Sequence, residues 1–417
     1  LRHFGAADDE GVRLDGVEVF ERTTYDFHVV VNPGADFGVT FTYNANVYTP
    51  ALMRTLERCL VAVFAAAVDN PSVLVGDIAV WDERAEAPEA AAGRSAPSAL
   101  PAESLIDIVT RTTEANGDKT ALIWQGRRYS YRDIARWSDA IAWRLRELDV
   151  EPGTGVGILI DRRPELIVAI LGLLKNGNFY VPIDTKDAAP RIEHVLGDAD
   201  VRHVCTVSGF EELIPASIVA VSVDEPVEDV PAFPCHRPEP DAVAYLMYTS
   251  GSTGQPKGCH ITHRNIQRLV VDQTYADFGD EQVVLQTSSP AFDAFTWEMW
   301  GTVLRGGTLV LPDDELDILD GDRLRQVIEE HRVSSMWLTS PLFNQLCEHD
   351  PGIFASLGHL LVGGSALSIR HIATVRAACQ ELRITNGYGP TENTTFSTTH
   401  EIRPEDLSGE RIPIGRP

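Results

Sequence analysis

The residues best suited to do chemistry lie in one short stretch, residues 248–258, which reads YTSGSTGQPKG. Its glycines let the backbone turn several N–H groups toward a bound anion. Lys257 adds a mobile positive charge, and hydroxyl side chains add further hydrogen-bond donors. These residue types predict a cradle for a polyphosphate, and the alternative is a surface turn rich in Gly, Ser and Pro. The residues of the predicted cradle are Thr249, Ser250, Gly251, Ser252, Thr253, Gly254 and Lys257.

This cradle differs from the phosphate loop of kinases and ATPases, which has a Gly, four residues, Gly-Lys and then Ser or Thr. Here Lys257 follows Pro256 and precedes Gly258, so that pattern is not met. An apolar run, residues 242–247, precedes the cradle and predicts a buried strand that leads into it.

A second stretch, residues 289–300, places Asp293 among aromatic side chains. A carboxylate in such surroundings is costly unless a cation pairs with it, so Asp293 is a candidate for binding a positively charged group. The alternative is that Asp293 caps the helix predicted to follow it.

Two further stretches end apparent strands in small or polar residues. Residues 360–366 end in a small-residue turn, for which a plain strand-to-helix connection is the alternative. Residues 384–395 contain Tyr388, whose ring can stack, and Thr391 and Glu392, whose oxygens suit Mg²⁺. For Glu392 the alternative is a solvated loop carboxylate. Because ligands of open α/β sheets bind beyond the carboxyl ends of the strands, we expect all four stretches to meet in one crevice.

The composition limits the classes of function. The 417 residues suffice for two or three domains, and 44% of them are hydrophobic, which is ordinary for a protein with a sizeable core. The formal net charge of −26 argues against nucleic acid and against an anionic membrane surface as partners. No apolar run reaches the length of a transmembrane helix, and six scattered cysteines indicate a reducing, cytoplasmic setting.

The elements that must position these residues follow from the pattern of the chain. Helices and buried strands alternate over residues 103–417, which predicts an α/β fold with a largely parallel sheet and helices on both faces. Residues 83–102 are rich in small residues, prolines and charges, and they predict a linker. Residues 1–82 form a separate block with two predicted strands and an amphipathic helix.

Residues 104–417 resemble the adenylation domain of a nonribosomal peptide synthetase, within the acyl-adenylate-forming superfamily. The cradle matches the phosphate loop of that family nearly residue for residue, and further motifs follow in the right order. The matching stretches are residues 174–184, which depart from the motif at Asn176, Asn178 and Phe179, and residues 292–298, 386–392 and 413–417. The resemblance implies the large N-terminal subdomain of that fold, with mixed and parallel sheets flanked by helices.

The resemblance implies an ATP-dependent ligase that uses Mg²⁺. The enzyme converts an amino acid to an aminoacyl-adenylate and pyrophosphate, and then passes the acyl group to the phosphopantetheine thiol of a carrier-protein domain. By family position the cradle holds pyrophosphate, Thr391 contacts the α-phosphate, Glu392 binds the metal and Asp293 pairs with the α-ammonium of the substrate. The implied adenine pocket consists of Gly364, Ser365, Ala366, Asn386, Tyr388 and Gly389.

The same resemblance implies a pocket for the substrate side chain. Its tryptophans, leucine and phenylalanine leave an apolar space with no charged group to pair a polar side chain, so the predicted substrate is a medium aliphatic amino acid such as valine. The residues of this predicted pocket are Asp293, Ala294, Trp297, Trp337, Leu361, Gly363, Gly387, Thr395 and Phe396.

Residues 1–82 resemble the C-terminal end of a condensation domain, although the His-His-x-x-x-Asp-Gly motif of that family is absent. The rest of that domain and the C-terminal lid of the adenylation domain, which carries a catalytic lysine, are the partners expected in the same polypeptide. We therefore expect the chain alone to be weakly active or inactive.

Two alternatives to amino-acid activation stay open. One is a stand-alone enzyme that resembles acyl-CoA ligases, against which Asp293 argues because fatty and aryl acids have no ammonium group. The other is a non-catalytic structural module, against which the intact cradle and Glu392 argue.

Overall fold

The alternation of apolar strands and amphipathic helices is present in the larger of two units, Leu1–Ala92 and Gly93–Pro417, into which the chain divides. The predicted linker, residues 83–102, lies almost entirely outside the described residues, so the predicted domain boundaries stay predictions. The computed structural model describes residues 26–32, 37–78, 100–224, 230–250 and 256–416.

The smaller unit contains a hairpin and a helix. Strands β1 (Phe27–Asn32) and β2 (Gly38–Tyr43) are antiparallel. Helix α1 (Pro50–Asp69) begins after Thr49, whose hydroxyl accepts a hydrogen bond from the backbone N–H of Leu52 at 3.3 Å. Threonine before proline is a favourable helix start, because the hydroxyl satisfies one free N–H and proline lacks one. The resemblance of this block to a condensation domain stays a prediction.

The larger unit alternates strands and helices along most of its length. Its strands are β3 (Thr120–Trp124), β4 (Arg127–Ser130), β5 (Gly155–Leu159), β6 (Phe179–Pro182), β7 (His203–Thr206), β8 (Val219–Ser222), β9 (Val243–Ser250), β10 (Pro256–Thr262), β11 (Val283–Leu285), β12 (Thr308–Val310), β13 (Ser335–Thr339), β14 (His359–Gly363), β15 (Arg383–Tyr388) and β16 (Thr398–Glu401). Its helices are α2 (Leu105–Asn116), α3 (Tyr131–Glu147), α4 (Pro164–Asn176), α5 (Ala189–Asp198), α6 (His263–Val270), α7 (Ala294–Val303), α8 (Leu316–Leu319), α9 (Gly321–His331), α10 (Ser340–His349) and α11 (Ile369–Ala378).

The strands form two sheets within the described part of this unit. The first has the order β10-β9-β6-β5-β7-β8, and its strands are parallel except for the pair β9 and β10. The second has the order β16-β15-β14-β13-β11-β12-β3-β4 and is antiparallel only at its two edges. The predicted α/β class, with mixed and parallel sheets flanked by helices, is confirmed.

Two helices show why these sequences fold as they do. Helix α4 is apolar on nearly all sides and every residue in it is buried, as expected for a helix between other layers. It ends at Gly177, whose φ of 88° is a left-handed conformation that glycine adopts without strain. Helix α6 begins at Thr262, at the end of β10, where Thr262 and Asn265 satisfy each other's backbone N–H groups. This cap fixes the path of the chain from β10 into α6.

Strands β13, β14 and β15 lie side by side and end at the same level. Thr339 pairs with Gly363, and Gly363 pairs with Gly387. Because the three strands are parallel, their carboxyl ends form one edge of the second sheet, and the residues that follow them face the same region.

Candidate active site

The predicted cradle is the tip of the antiparallel hairpin of β9 and β10. Thr249 pairs with Lys257, and Ser250 pairs with Pro256. These residues therefore lie on strands, whereas the sequence predicted that they lie in a loop. The prediction ended the first strand at Met247 because the hydroxyl residues resembled a turn, whereas pairing with β10 extends β9 to Ser250. The remaining cradle residues, Gly251, Ser252, Thr253 and Gly254, and the side chain of Ser250 lie outside the described residues.

Directly opposed residues of an antiparallel pair project to the same face of the sheet. The side chains of Thr249 and Lys257 therefore lie on one face of the hairpin, and Lys257 is exposed. A hydroxyl and an ammonium on one exposed face are suitable donors to a phosphate.

Strand β10 also brings the cradle to the other predicted groups. It contacts the short 3₁₀ helix Thr391–Asn393. Burial raises the pKa of the Cys259 thiol on β10, and the charges of Glu392 and Asp293 raise it further. The hairpin, Asp293 and Glu392 therefore lie in one neighbourhood, as the sequence predicted for residues beyond the ends of strands.

Asp293 immediately precedes helix α7, but its side chain makes no capping hydrogen bond to that helix. The backbone N–H groups of Ala294 and Thr395 nevertheless lower the pKa of its carboxyl, so the capping alternative accounts for part of its setting only. Burial raises the pKa of the Asp293 carboxyl, and the hydroxyl of Thr391 partly offsets the shift. Within the described residues no lysine, arginine or histidine forms an ion pair with Asp293. A carboxylate in this environment gains more from a bound cation than an exposed carboxylate does.

The predicted side-chain pocket is brought together from five parts of the chain. Asp293, Ala294 and Trp297 come from the start of α7, Trp337 from β13, Leu361 and Gly363 from β14, Gly387 from β15, and Thr395 and Phe396 from the turn after the 3₁₀ helix. Apart from Asp293 these residues are buried.

The two glycines make room for aromatic rings. A Cβ atom on Gly387 would lie 2.4 Å from the Phe396 ring, and one on Gly363 would lie 2.4 Å from the Trp337 ring. The rings of Trp337 and Phe396 contact each other with centroids 5.3 Å apart. The sequence predicted an apolar space here, and the rings of Trp337 and Phe396 lie directly over the two glycines.

The predicted adenine residues line one cavity of about 440 Å³. Tyr388 is 51% exposed there, so one face of its ring is available to a ligand. The side-chain amide of Asn386 donates to the carbonyl of Pro413 at 2.8 Å, which ties the cavity wall to the C-terminal segment. The cavity is lined by Gly364, Ser365, Ala366, Asn386, Tyr388 and Gly389, together with Leu367, Gly387, Glu410, Arg411, Ile412 and Ile414. Of these last residues the sequence assigned Gly387 to the side-chain pocket and included Ile414 in the matched stretch 413–417 without a role, and it missed the others.

Glu298 is a second residue whose role the sequence missed. It is fully buried in α7, and its carboxylate accepts hydrogen bonds from the backbone N–H and the hydroxyl of both Thr287 and Ser288. Burial raises its pKa to about 7, and these hydrogen bonds offset only part of the shift. The Thr287 hydroxyl lies 2.5 Å from the carbonyl of Trp337. Glu298 therefore links helix α7 to the strand that carries Trp337.

Glu392 is exposed on the 3₁₀ helix beside the cradle. No group of three or more His, Cys, Asp or Glu side chains that could enclose a metal ion occurs among the described residues. Mg²⁺ is usually held by one or two carboxylates together with substrate phosphates and water, so a single exposed glutamate beside the predicted phosphate cradle fits that metal.

None of the described helices is long and apolar enough to span a bilayer.

Comparison with known proteins gives consistent results. Residues 109–417 match the family described as AMP-binding enzyme. The chain is 33% identical to surfactin synthase subunit 2 of Bacillus subtilis over 418 residues, which cover 99% of the chain and 12% of that protein. The chain thus spans about an eighth of that relative.

Two solved structures share the fold. Holo-PA1221, a nonribosomal peptide synthetase protein containing adenylation and PCP domains, is 33% identical with a TM-score of 0.68; the match covers 75% of this chain and 54% of that one. The N-terminal subdomain of Klebsiella oxytoca NpsA, in complex with 3-hydroxybenzoyl-AMSN, is 26% identical with a TM-score of 0.66. That match covers 74% of this chain and 78% of the other.

Proposed function

Because the chain belongs to the family of AMP-binding enzymes, we propose that it activates an amino acid with ATP to form an aminoacyl-adenylate and pyrophosphate. The observation that carries this proposal is the setting of Asp293. Its carboxyl has a raised pKa, its charge and that of Glu392 both act on Cys259 of strand β10, and its backbone carbonyl accepts a hydrogen bond from Thr395, next to the buried Phe396. A substrate ammonium would supply the cation that this carboxylate lacks among the described residues.

In the proposed reaction an oxygen of the amino-acid carboxylate attacks the α-phosphorus of ATP. The bond between the α-phosphorus and its bridging oxygen to the β-phosphate breaks, and pyrophosphate leaves. Asp293 holds the ammonium, Thr391 contacts the α-phosphate, and Thr249 and Lys257 bind the leaving pyrophosphate. The cradle residues Ser250, Gly251, Ser252, Thr253 and Gly254 complete this binding. Positioning and charge neutralisation account for the rate in such a reaction.

Glu392 would hold Mg²⁺ against the phosphates, where the ion neutralises charge that develops on their oxygens. The adenine would occupy the cavity beside Tyr388, with one ring stacked on the other. The phosphopantetheine thiol of a carrier-protein domain would then attack the acyl carbon of the adenylate; a thioester forms, the bond from the acyl carbon to the phosphate oxygen breaks, and AMP and the thiol proton leave. The similarity to holo-PA1221, whose structure contains adenylation and PCP domains, supports this step.

For the substrate we propose a medium aliphatic amino acid such as valine. Trp337, Leu361 and Phe396 are buried and apolar, and the Trp337 and Phe396 rings over Gly363 and Gly387 restrict the space for a side chain. A long or charged side chain would have to displace these rings or leave its charge without a partner.

The proposal is tested by binding of two matched probes to the 417-residue chain. Valyl-sulfamoyl-adenosine imitates the adenylate, and isovaleryl-sulfamoyl-adenosine lacks only the ammonium. We expect the valyl probe to bind much more tightly, and Asp293→Asn to weaken it by roughly a hundredfold or more while leaving the isovaleryl probe unaffected. Calorimetric titration measures both dissociation constants.

Asp200→Asn is the matched control, since Asp200 is exposed and pairs only loosely with Arg202 at 3.7 Å. This variant is expected to bind both probes as the wild type does. Equal affinity of the wild type for both probes would contradict amino-acid activation and favour a carboxylic acid without an ammonium. Tighter binding of lysyl, glutamyl or phenylalanyl probes than of the valyl probe would contradict the aliphatic substrate alone.

A further inference from the structure

The turn that follows Glu392 has an unusual backbone. Thr394 and Thr395 both have positive φ values, 55° and 64°. A β-branched residue in the left-handed region is uncommon, and two in succession persist only where surrounding contacts hold them. This turn supplies Thr395 and Phe396 to the predicted pocket.

Arg268 on helix α6 supplies such contacts. Its guanidinium donates to the carbonyl of Asn393 at 2.6 Å, to that of Thr394 at 3.1 Å and to that of Phe396 at 3.0 Å. A planar guanidinium can bind several carbonyls at once, which the point charge of a lysine cannot do with the same geometry. Arg268 thereby joins the turn to the helix that directly follows strand β10.

The cost of placing a guanidinium here indicates that its geometry matters. Burial lowers the pKa of Arg268, and none of the ion pairs among the described residues includes it. Its charge is therefore balanced by backbone carbonyls and not by a carboxylate. A less costly side chain would suffice if the turn needed only to be covered.

The turn held by Arg268 also orients Asp293. The hydroxyl of Thr395 donates to the backbone carbonyl of Asp293 at 2.7 Å. The hydroxyl of Thr391, at the other end of the same segment, lies near enough to the Asp293 carboxyl to lower its pKa, and so does the backbone N–H of Thr395. A shift of the turn would therefore move the groups that fix the position of this carboxylate.

We propose that Arg268 is a positioning residue for substrate recognition: by holding the carbonyls of residues 393–396, it sets Asp293 at the place where the substrate ammonium binds. This inference rests on the proposed function. It assigns to Arg268 no contact with the substrate, since its donors are directed to the turn.

The test compares the two sulfamoyl probes on wild type, Arg268→Gln and Arg268→Lys. The informative quantity is the dissociation constant of the isovaleryl probe divided by that of the valyl probe. This ratio reports the preference for an ammonium and does not depend on the fraction of folded protein. We expect Arg268→Gln to reduce this ratio roughly tenfold, as one hydrogen bond to a charged group is worth about that factor. Arg268→Lys keeps the charge, guards against a glutamine variant that does not fold, and is expected to reduce the ratio by a smaller factor.

Arg376→Gln is the matched control. Arg376 also donates to a backbone carbonyl, that of Ile402 at 2.7 Å, but it lies outside the predicted site. It is expected to lower the thermal midpoint and to leave the ratio unchanged. A wild-type ratio in Arg268→Gln or Arg268→Lys would overturn the positioning role. If the wild type itself shows no preference for the ammonium, the proposed function fails instead.

Discussion

The proposed amino-acid side and the proposed nucleotide side of the candidate site are built differently. On the amino-acid side Trp297, Trp337, Leu361 and Phe396 are buried and belong to the hydrophobic core of the larger unit. On the nucleotide side Lys257 and Glu392 are exposed and Tyr388 is half exposed at the wall of a cavity of about 440 Å³.

This difference separates packed side chains, which contribute to the stability of the fold, from exposed groups, which contribute mainly to the affinity for a ligand. A pocket made from core side chains is held in shape before a ligand arrives, because dense packing leaves each ring little freedom. An exposed charge or ring contributes little until a ligand removes it from water. Substitutions on the amino-acid side should therefore change stability, whereas substitutions on the nucleotide side should change affinity at constant stability.

The largest effect is expected for Gly363→Ala on the amino-acid side. The new Cβ would lie 2.1 Å from the carbonyl oxygen of Gly387 and 2.4 Å from the Trp337 ring. Because a backbone atom cannot move aside as a side chain can, we expect unfolding free energy to fall by about 3 kcal/mol or more. Denaturant titration of the chain measures this loss.

Gly197→Ala is the control for that substitution. Gly197 lies in helix α5 with open space where its Cβ would be. Alanine there is expected to raise stability by about 0.5–1 kcal/mol, since glycine is a poor helix former. An unchanged denaturation midpoint in Gly363→Ala would show that the pocket is not closely packed.

Glu298 provides a pH-dependent test of the same side. Its pKa rises from an ordinary 4.5 to about 7, so between these values the folded protein binds more protons than the unfolded protein. Stability contributed by this group is therefore present below pH 4.5 and is lost as pH rises toward 7, by about 3 kcal/mol in all. Glu298→Gln has no such titration.

We expect the wild-type free energy of unfolding, minus that of Glu298→Gln, to fall by about 1.4 kcal/mol for each pH unit between 5 and 7. Denaturant titrations of both proteins at pH 5, 6 and 7 provide the comparison. A difference that is independent of pH would show that burial does not shift this carboxyl.

On the nucleotide side Lys257→Ala is expected to weaken the binding of ATP and of pyrophosphate roughly tenfold, without a change in the unfolding midpoint. Lys257 is exposed, and within the described residues it forms no ion pair that the substitution would break. Calorimetric titrations at two salt concentrations measure both affinities. Arg202→Ala removes another exposed charge and should alter neither the affinity for ATP nor that for pyrophosphate. A loss of stability in Lys257→Ala would contradict the contrast between the two sides.

The smallest effect is expected for Tyr388→Leu. Loss of stacking on the adenine should cost roughly 1 kcal/mol, or about fivefold in the dissociation constant of ATP. Pyrophosphate has no ring, so its affinity should stay unchanged and it is the internal control in the same calorimetric experiment. Equal weakening of both ligands would show that Tyr388 does not stack on the adenine.

The sequence predicted much of the framework because its signals were local. Apolar runs identified the strands, and the rule that ligands bind beyond their carboxyl ends predicted that residues after β14 and β15 lie together. The register of Gly363 with Gly387 agrees with that expectation. The functional roles of the site residues stay predictions.

What the sequence missed depends on contacts between distant residues. Arg268 donates hydrogen bonds to backbone carbonyls 125, 126 and 128 residues away. Every residue type has a backbone carbonyl, so the sequence does not show which residues accept these bonds. Glu298 resembles any polar helix residue until the fold buries it. The extension of β9 to Ser250 was also missed, since pairing with β10 and not local propensity decides where that strand ends.

The place of the proposed pocket within the core affects how such a protein can evolve. Trp297, Trp337 and Phe396 pack in the same core as helix α4 and strand β5, so a mutation in the proposed pocket also changes fold stability. Natural proteins lie only slightly above the stability that they need, and most single steps across a core position fall below it. New specificities should therefore arise more readily when whole segments, such as β13 to the turn at residue 396, are exchanged by recombination than when single residues change in succession.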